Sequence, residues 1–229
     1  MTEITKSIIA LWVLAGLAGC AKEQAPVTPD NNGKITLTLT AGKENVETRA
    51  AIDANDSTVI NWSQYDGITV FDGGNYSCNF HLIDGEGTST GTFEGEVLET
   101  SADGYTALYP SQVAPHLSDP TYENGKIKDV VLKRVQTATA GSFDPKAALM
   151  CARSTTADGI LEFRNVVGYV KFTTEFECSK IAIVSNNSSD ALTGTIEITP
   201  GTAPSVSVTA STFEASLSAS YGNIAPGTY

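Results

Sequence analysis

"KITLTLT" (residues 34–40) sets Ile35, Leu37 and Leu39 on one side of an extended chain and Lys34, Thr36, Thr38 and Thr40 on the other. Side chains of a strand point alternately to its two faces, so this is the pattern of a strand with one face buried and one in water. The next stretch, "AGKENVETRAAIDANDS" (41–57), breaks the pattern for longer than a hairpin needs, and uninterrupted loops of that length are commonly functional or disordered. Beyond it come further short apolar or alternating runs: "TVINW" (58–62), "GITVF" (67–71), "YSCNFHLI" (76–83), "GTFEGEVL" (91–98) and "YTALYP" (105–110). "DVVLKRVQTA" (129–138), "KAALMCA" (146–152) and "ILEFRNVVGYVKFTTEF" (160–176) continue the series. Turn signals such as Asp72-Gly73-Gly74 and Asp84-Gly85-Glu86-Gly87 punctuate it. The expectation is an all-β protein whose antiparallel strands pack as a sandwich over residues 50–176.

A fresh set of runs begins near Glu177: "KIAIVSN", "GTIEIT", "SVSVTA" and "ASLSAS". We expect a second β domain over residues 177–229. It is short for an independent core, and its last residues, Pro226-Gly227-Thr228-Tyr229, resemble a turn leading into a strand, so we expect it to be an incomplete sandwich. At the other end, Ile8–Ala18 is an apolar run of about eleven residues, too short for a membrane-spanning helix and of the length of a signal-peptide core. Leu17-Ala18-Gly19-Cys20 follows it and fits the bacterial lipobox, which makes residues 1–20 a lipoprotein signal and Cys20 the lipidated residue. An ordinary secretory signal with an incidental cysteine is the alternative. Two or three acyl chains anchor far better than one, so the partner at this end is the outer membrane, reached through lipid. Lys22-Glu23-Gln24 partly matches the signal that sends lipoproteins to the outer face of that membrane; retention on its inner leaflet is the alternative. Residues 21–33, polar with two prolines, read as a flexible tether.

The composition narrows the function. A net charge of −12, with 14 Lys and Arg scattered along the chain, argues against nucleic acid as a partner. With Cys20 lipidated, Cys78, Cys151 and Cys178 remain, an odd set without a Cys-x-x-Cys spacing; free thiols or a Cys78–Cys151 bridge would both fit. His81 and His116 lack zinc-ligand spacing, and there is no nucleophile elbow, phosphate loop or dinucleotide glycine pattern. "DANDST" (53–58) is rich in oxygens, but an EF-hand counted from Asp53 would place Thr58 at its glycine and Gln64 at its bidentate glutamate. Asp56-Ser57-Thr58 resembles a bacterial O-glycosylation triplet, although a solvated turn is the plainer reading. Trp62, Tyr65, Tyr105 and Tyr109 could form a sugar platform but more simply fill a core. No catalytic residue, metal or cofactor is expected, and the chain does not read as an enzyme.

Several stretches in this order, "VINWSQYDGITVF", "YTALYP", "VQTATAGSFDPKAALMCA", "LEFRNVVGYVKF", "KIAIVSNN" with "GTIEIT", and "APGTY", resemble the fimbrillin family, the type V pilin-like lipoproteins of Gram-negative anaerobes. The resemblance spans residues 20–229 and implies two transthyretin-like β-sandwich domains, the second cut short. It also implies that a trypsin-like protease cuts after an arginine, releasing the lipidated N-terminal piece with its first strand, and that a strand of another subunit fills the vacated groove. The matching bond here is Arg49–Ala50 in "VETRAA", which makes 34–49 the removable first strand and cleavage loop. Arg153 and Arg164 lie in strand-like runs and are poorer targets. Burying Ile35, Leu37 and Leu39 fully is worth about 5 to 9 kcal/mol, against a typical domain stability of about 5 to 15 kcal/mol. Loss of the strand would therefore leave a marginal subunit with an apolar groove and open sheet edges. The expected role is a surface fimbrial subunit or an anchor or accessory component, with other pilus subunits as partners and a host or bacterial surface ligand for adhesion. A monomeric surface glycan-binding lipoprotein is the alternative.

Overall fold

The computed structural model describes residues 34–43, 61–113, 119–157, 159–187 and 190–229. Within them the chain is all-β, with a single 3-10 turn at Pro145–Ala147 as its only helical element. Seven strands form one closed sheet: β1 (Ile35–Lys43), β2 (Gly67–Phe71), β3 (Ser77–Asp84), β4 (Thr90–Val97), β5 (Thr106–Tyr109), β9 (Met150–Arg153) and β10 (Leu161–Asn165). Around the barrel they run β1-β10-β9-β5-β2-β3-β4 and back to β1. Between β5 and β9 the chain leaves the barrel to make β6 (Thr121–Glu123), β7 (Lys126–Leu132) and β8 (Val135–Thr137). After β10 come β11 (Thr173–Thr174), β12 (Ile181–Val184), β13 (Thr193–Thr199), β14 (Ser205–Thr212), β15 (Glu214–Ser218) and β16 (Gly227–Thr228).

Where a sandwich of open sheets is expected from the patterning, the first set of strands closes on itself because β1 bonds along both edges. It pairs antiparallel with β4, from Ile35 opposite Val97 to Gly42 opposite Thr90. Its last three residues also pair parallel with β10, Ala41 opposite Leu161 through Lys43 opposite Phe163. That parallel contact joins residues far apart in sequence, and no local pattern announces it.

Two cores share one wall. The barrel interior holds Leu37, Leu39, Ala41, Trp62, Ile68, Val70, Phe80, Phe93, Tyr105, Tyr109, Met150 and Phe163. The outward-facing residues Phe71 of β2, Leu108 of β5 and Cys151 of β9 join Leu149, Ile127, Val130, Ile196 and Ile198 in a second core against the sheet β14-β13-β7-β6. Strands covered on both faces need apolar residues at successive positions, which is why "GITVF" and "TALY" do not alternate, whereas β1 and β4 do.

The expected domain edge at 176/177 is crossed by pairing on all three remaining sheets, the smallest of which pairs β11 with β16. β7 pairs with β13, and β8 pairs with β15 in the three-stranded sheet β12-β15-β8. The run 160–176 is strand only in β10 and β11; between them the Val166 N–H donates to the Leu149 carbonyl and the Phe172 N–H to that of Tyr229. In "TVINW", Asn61 and Trp62 belong to no strand, and 58–60 lie outside the described residues.

Candidate functional site

β1 is the stave that completes the barrel. Leu37, Leu39, Ala41 and Lys43 point inward and are buried, Ile35 is half-buried against the same core, and Thr36, Thr38 and Thr40 are exposed. The three apolar residues expected on the removable strand are thus brought together on one face. Cys20, Arg49 and Ala50 lie outside the described residues, as do the rest of 1–33 and 44–60 and His116.

The inward parity of β1 continues one position further than the apolar run, to a lysine. The Lys43 side chain is 1% exposed, and its Nζ stands 3.6 Å from Asp66 Oδ2. It donates to the Asn61 carbonyl at 3.0 Å and lies 3.9 Å from the centre of the Trp62 ring and 4.6 Å from that of Tyr109. An ammonium above aromatic faces is attracted by their quadrupoles. The Tyr109 hydroxyl donates to Asp66 Oδ1 at 2.9 Å and the Ser63 N–H to Oδ2 at 2.9 Å, so groups outside β1 hold the carboxylate toward the lysine. Burial lowers Lys43 from its ordinary 10.5 to about 8, against the opposing pull of the Asp66 carboxylate, and the amine is still charged at neutral pH. Burial first and the same carboxylate second push the Tyr109 phenol upward.

Lys43 at the end of β1 and Asn61, the next described residue along the chain, are in direct contact at this corner. Trp62 is fixed in place beside them. Its indole N–H donates to the Ala41 carbonyl at 3.3 Å, its ring meets Phe93, Tyr109 and Phe163 edge-on, and its backbone exchanges hydrogen bonds with Gly87 and Thr88. Room for the ring comes from Gly91, opposite Ala41, where a Cβ would lie 2.9 Å from the indole. Trp62 is therefore core and unavailable to stack on a sugar, while Tyr65 sits in a turn at φ 76° and is 90% exposed. Tyr105 and Tyr109 are buried in the same core.

Other sequence candidates stay apart from this corner. His81 is an exposed residue of β3. Cys78, Cys151 and Cys178 are free, with burial pushing the Cys151 thiol up to about 12 and, together with Asp72, the Cys78 thiol up to about 11. Arg153 and Arg164 lie in β9 and β10. A cavity of about 640 Å³ opens beside the β12-β15-β8 sheet, lined largely by apolar residues such as Leu132, Phe143, Ile183 and Tyr229. Among the described residues the Tyr169 hydroxyl and Ser216 Oγ at its wall have no hydrogen-bond partner, and its carboxylate, Asp144, is engaged by the Thr137 and Lys146 N–H groups. Among the described residues no group of three or more His, Cys, Asp or Glu is placed to hold a metal. Lys43 and Asp66 were not among the residues singled out from sequence; carrying the alternation from Ile35 through Ala41 to Lys43 puts a charge on the buried face and would have found the first. Comparison with protein-family models, with characterised proteins and with solved structures finds no match for the chain.

Proposed function

We propose that this chain is a lipid-anchored surface protein of the fimbrillin type that acts in fimbrial assembly and adhesion by exchanging β1 for a strand of another subunit. The observation that carries this reading is the position of β1. It is the first described strand, its covalent link to the other barrel strands runs through 44–60, and it pairs along both edges with β4 and β10 to close the sheet. A protease acting at Arg49–Ala50 would leave β1 held by its ladder and its inward side chains alone. Its departure would uncover the edges of β4 and β10 and an apolar slot between them, which is the arrangement that β-strand addition requires.

Intact mass of the protein recovered from the cell surface tests the proposal. A species beginning at Ala50, found in large assemblies and lost in an Arg49→Ala variant, is expected. A species that begins at lipidated Cys20 and stays monomeric would overturn strand exchange and favour a permanent anchor or a monomeric binder.

A further inference from the structure

We infer that the slot vacated by β1 selects the strand that refills it, accepting one whose inward positions are apolar, apolar, small and lysine in the places of Leu37, Leu39, Ala41 and Lys43. The inference rests on the strand exchange proposed above and names its partner: a strand of another chain that carries a lysine four residues after its second inward apolar residue.

An apolar slot cannot set register by itself. Side chains repeat every two residues along a strand, so a slip by two keeps every inward residue inward and puts Leu37 where Leu39 was. The far end of the slot breaks that degeneracy. Asp66, Trp62, Tyr109 and the Asn61 carbonyl all belong to the part of the chain that remains once 34–49 is gone, and together they set a carboxylate, a carbonyl and two aromatic faces around the lysine Nζ. A slip in one direction leaves Asp66, whose side chain is only 13% exposed, without its cation. A slip in the other direction drives the lysine to the position of Ala41, which is fully buried in the apolar core beneath Trp62. Breaking a buried ion pair on one side costs far more than the intact pair contributes to stability. One polar residue in an apolar seam fixes the register of a coiled coil for the same reason. The small residue follows from Trp62: its ring fills the space over Gly91, opposite Ala41.

The test uses the full chain cut between Arg49 and Ala50 and equilibrated with labelled peptides of residues 34–43, amidated at the C-terminus, in pairwise competition read by native mass spectrometry. The native peptide is expected to outcompete its Lys43→Met version by at least about tenfold, a difference of about 1.4 kcal/mol, with Lys43→Arg between them. On an Asp66→Asn protein the Lys-to-Met ratio should fall to within about twofold. If both peptides enter the unchanged protein equally well, strand exchange stands and selection is overturned. A lysine preference that survives Asp66→Asn also overturns it, because the charge of the slot would not be its source. If no peptide enters, the exchange reading falls and the inference falls with it. The comparison on the unchanged protein does not depend on the folding of any variant.

Discussion

The barrel has two unlike walls. β2, β5 and β9 are covered on both faces, by the barrel interior on one side and by the sheet of β7 and β13 on the other, whereas β1 has the core behind it and solvent in front. The apolar content of the strands follows that division. Burial on two faces makes a strand part of two cores at once, and it cannot leave without undoing both. Burial on one face leaves a strand that is held firmly but separably. The difference places β1, with β3 and β4, among the staves that contribute to the barrel core alone.

The sharpest way to break the comparison is substitution on the doubly covered wall. Phe71→Ala should cost about 3 to 5 kcal/mol in chemical denaturation, with no effect on how fast β1 leaves a chain cut at Arg49. Leu39→Ala on β1 should cost about 2 to 5 kcal/mol in the intact chain and, after cutting, should accelerate β1 release measured by mass spectrometry. Equal acceleration by both variants would mean that the walls are one cooperative unit. Hydrogen exchange gives an independent check: after the cut, β1 amides should exchange through local opening and β5 amides only through global unfolding.

The next effect depends on pH. Lys43 has a lowered pKa in the folded chain, so between about 8 and its ordinary 10.5 the unfolded chain binds more protons and stability rises with pH. Over the full window the contribution is about 3 kcal/mol. Tyr109 and Asp66 are the titratable groups facing the amine, and the raised thiols of Cys78 and Cys151 act in the opposite sense above about pH 9. The clean observation is therefore the slope between pH 8 and 9, present in the unchanged protein and absent in Lys43→Met. The smallest effect is expected at β14, the outer strand of its sheet and exposed almost throughout, where Val208→Thr should change stability by less than about 0.5 kcal/mol.

Local pattern revealed the elements better than their partners. "KITLTLT", "GTFEGEVL", "GTIEIT" and "SVSVTA" fall on β1, β4, β13 and β14 because period-two alternation is written within a few residues. Closure through the β1–β10 contact, and the pairing of β7 and β8 with strands beyond residue 177, depend on residues far apart in sequence and leave no local signature. "NVVGYVKF" is apolar enough to suggest a strand, yet its backbone bonds to Leu149 and Tyr229 instead of forming a ladder between β10 and β11. At the site, the inward leucines were readable from their spacing. Asp66 was not, since a carboxylate in a turn looks solvated until Tyr109, more than forty residues later, is placed against it.

The alternation of β1 has a consequence for the information the strand carries. Positions 35, 37, 39, 41 and 43 face the interior, while Thr36, Thr38 and Thr40 meet only water and their neighbours on β4. A protein that reads its strand in this way reads every second letter of it. The unread letters can change, and with them the surface shown to the outside, while the message that closes the barrel stays the same.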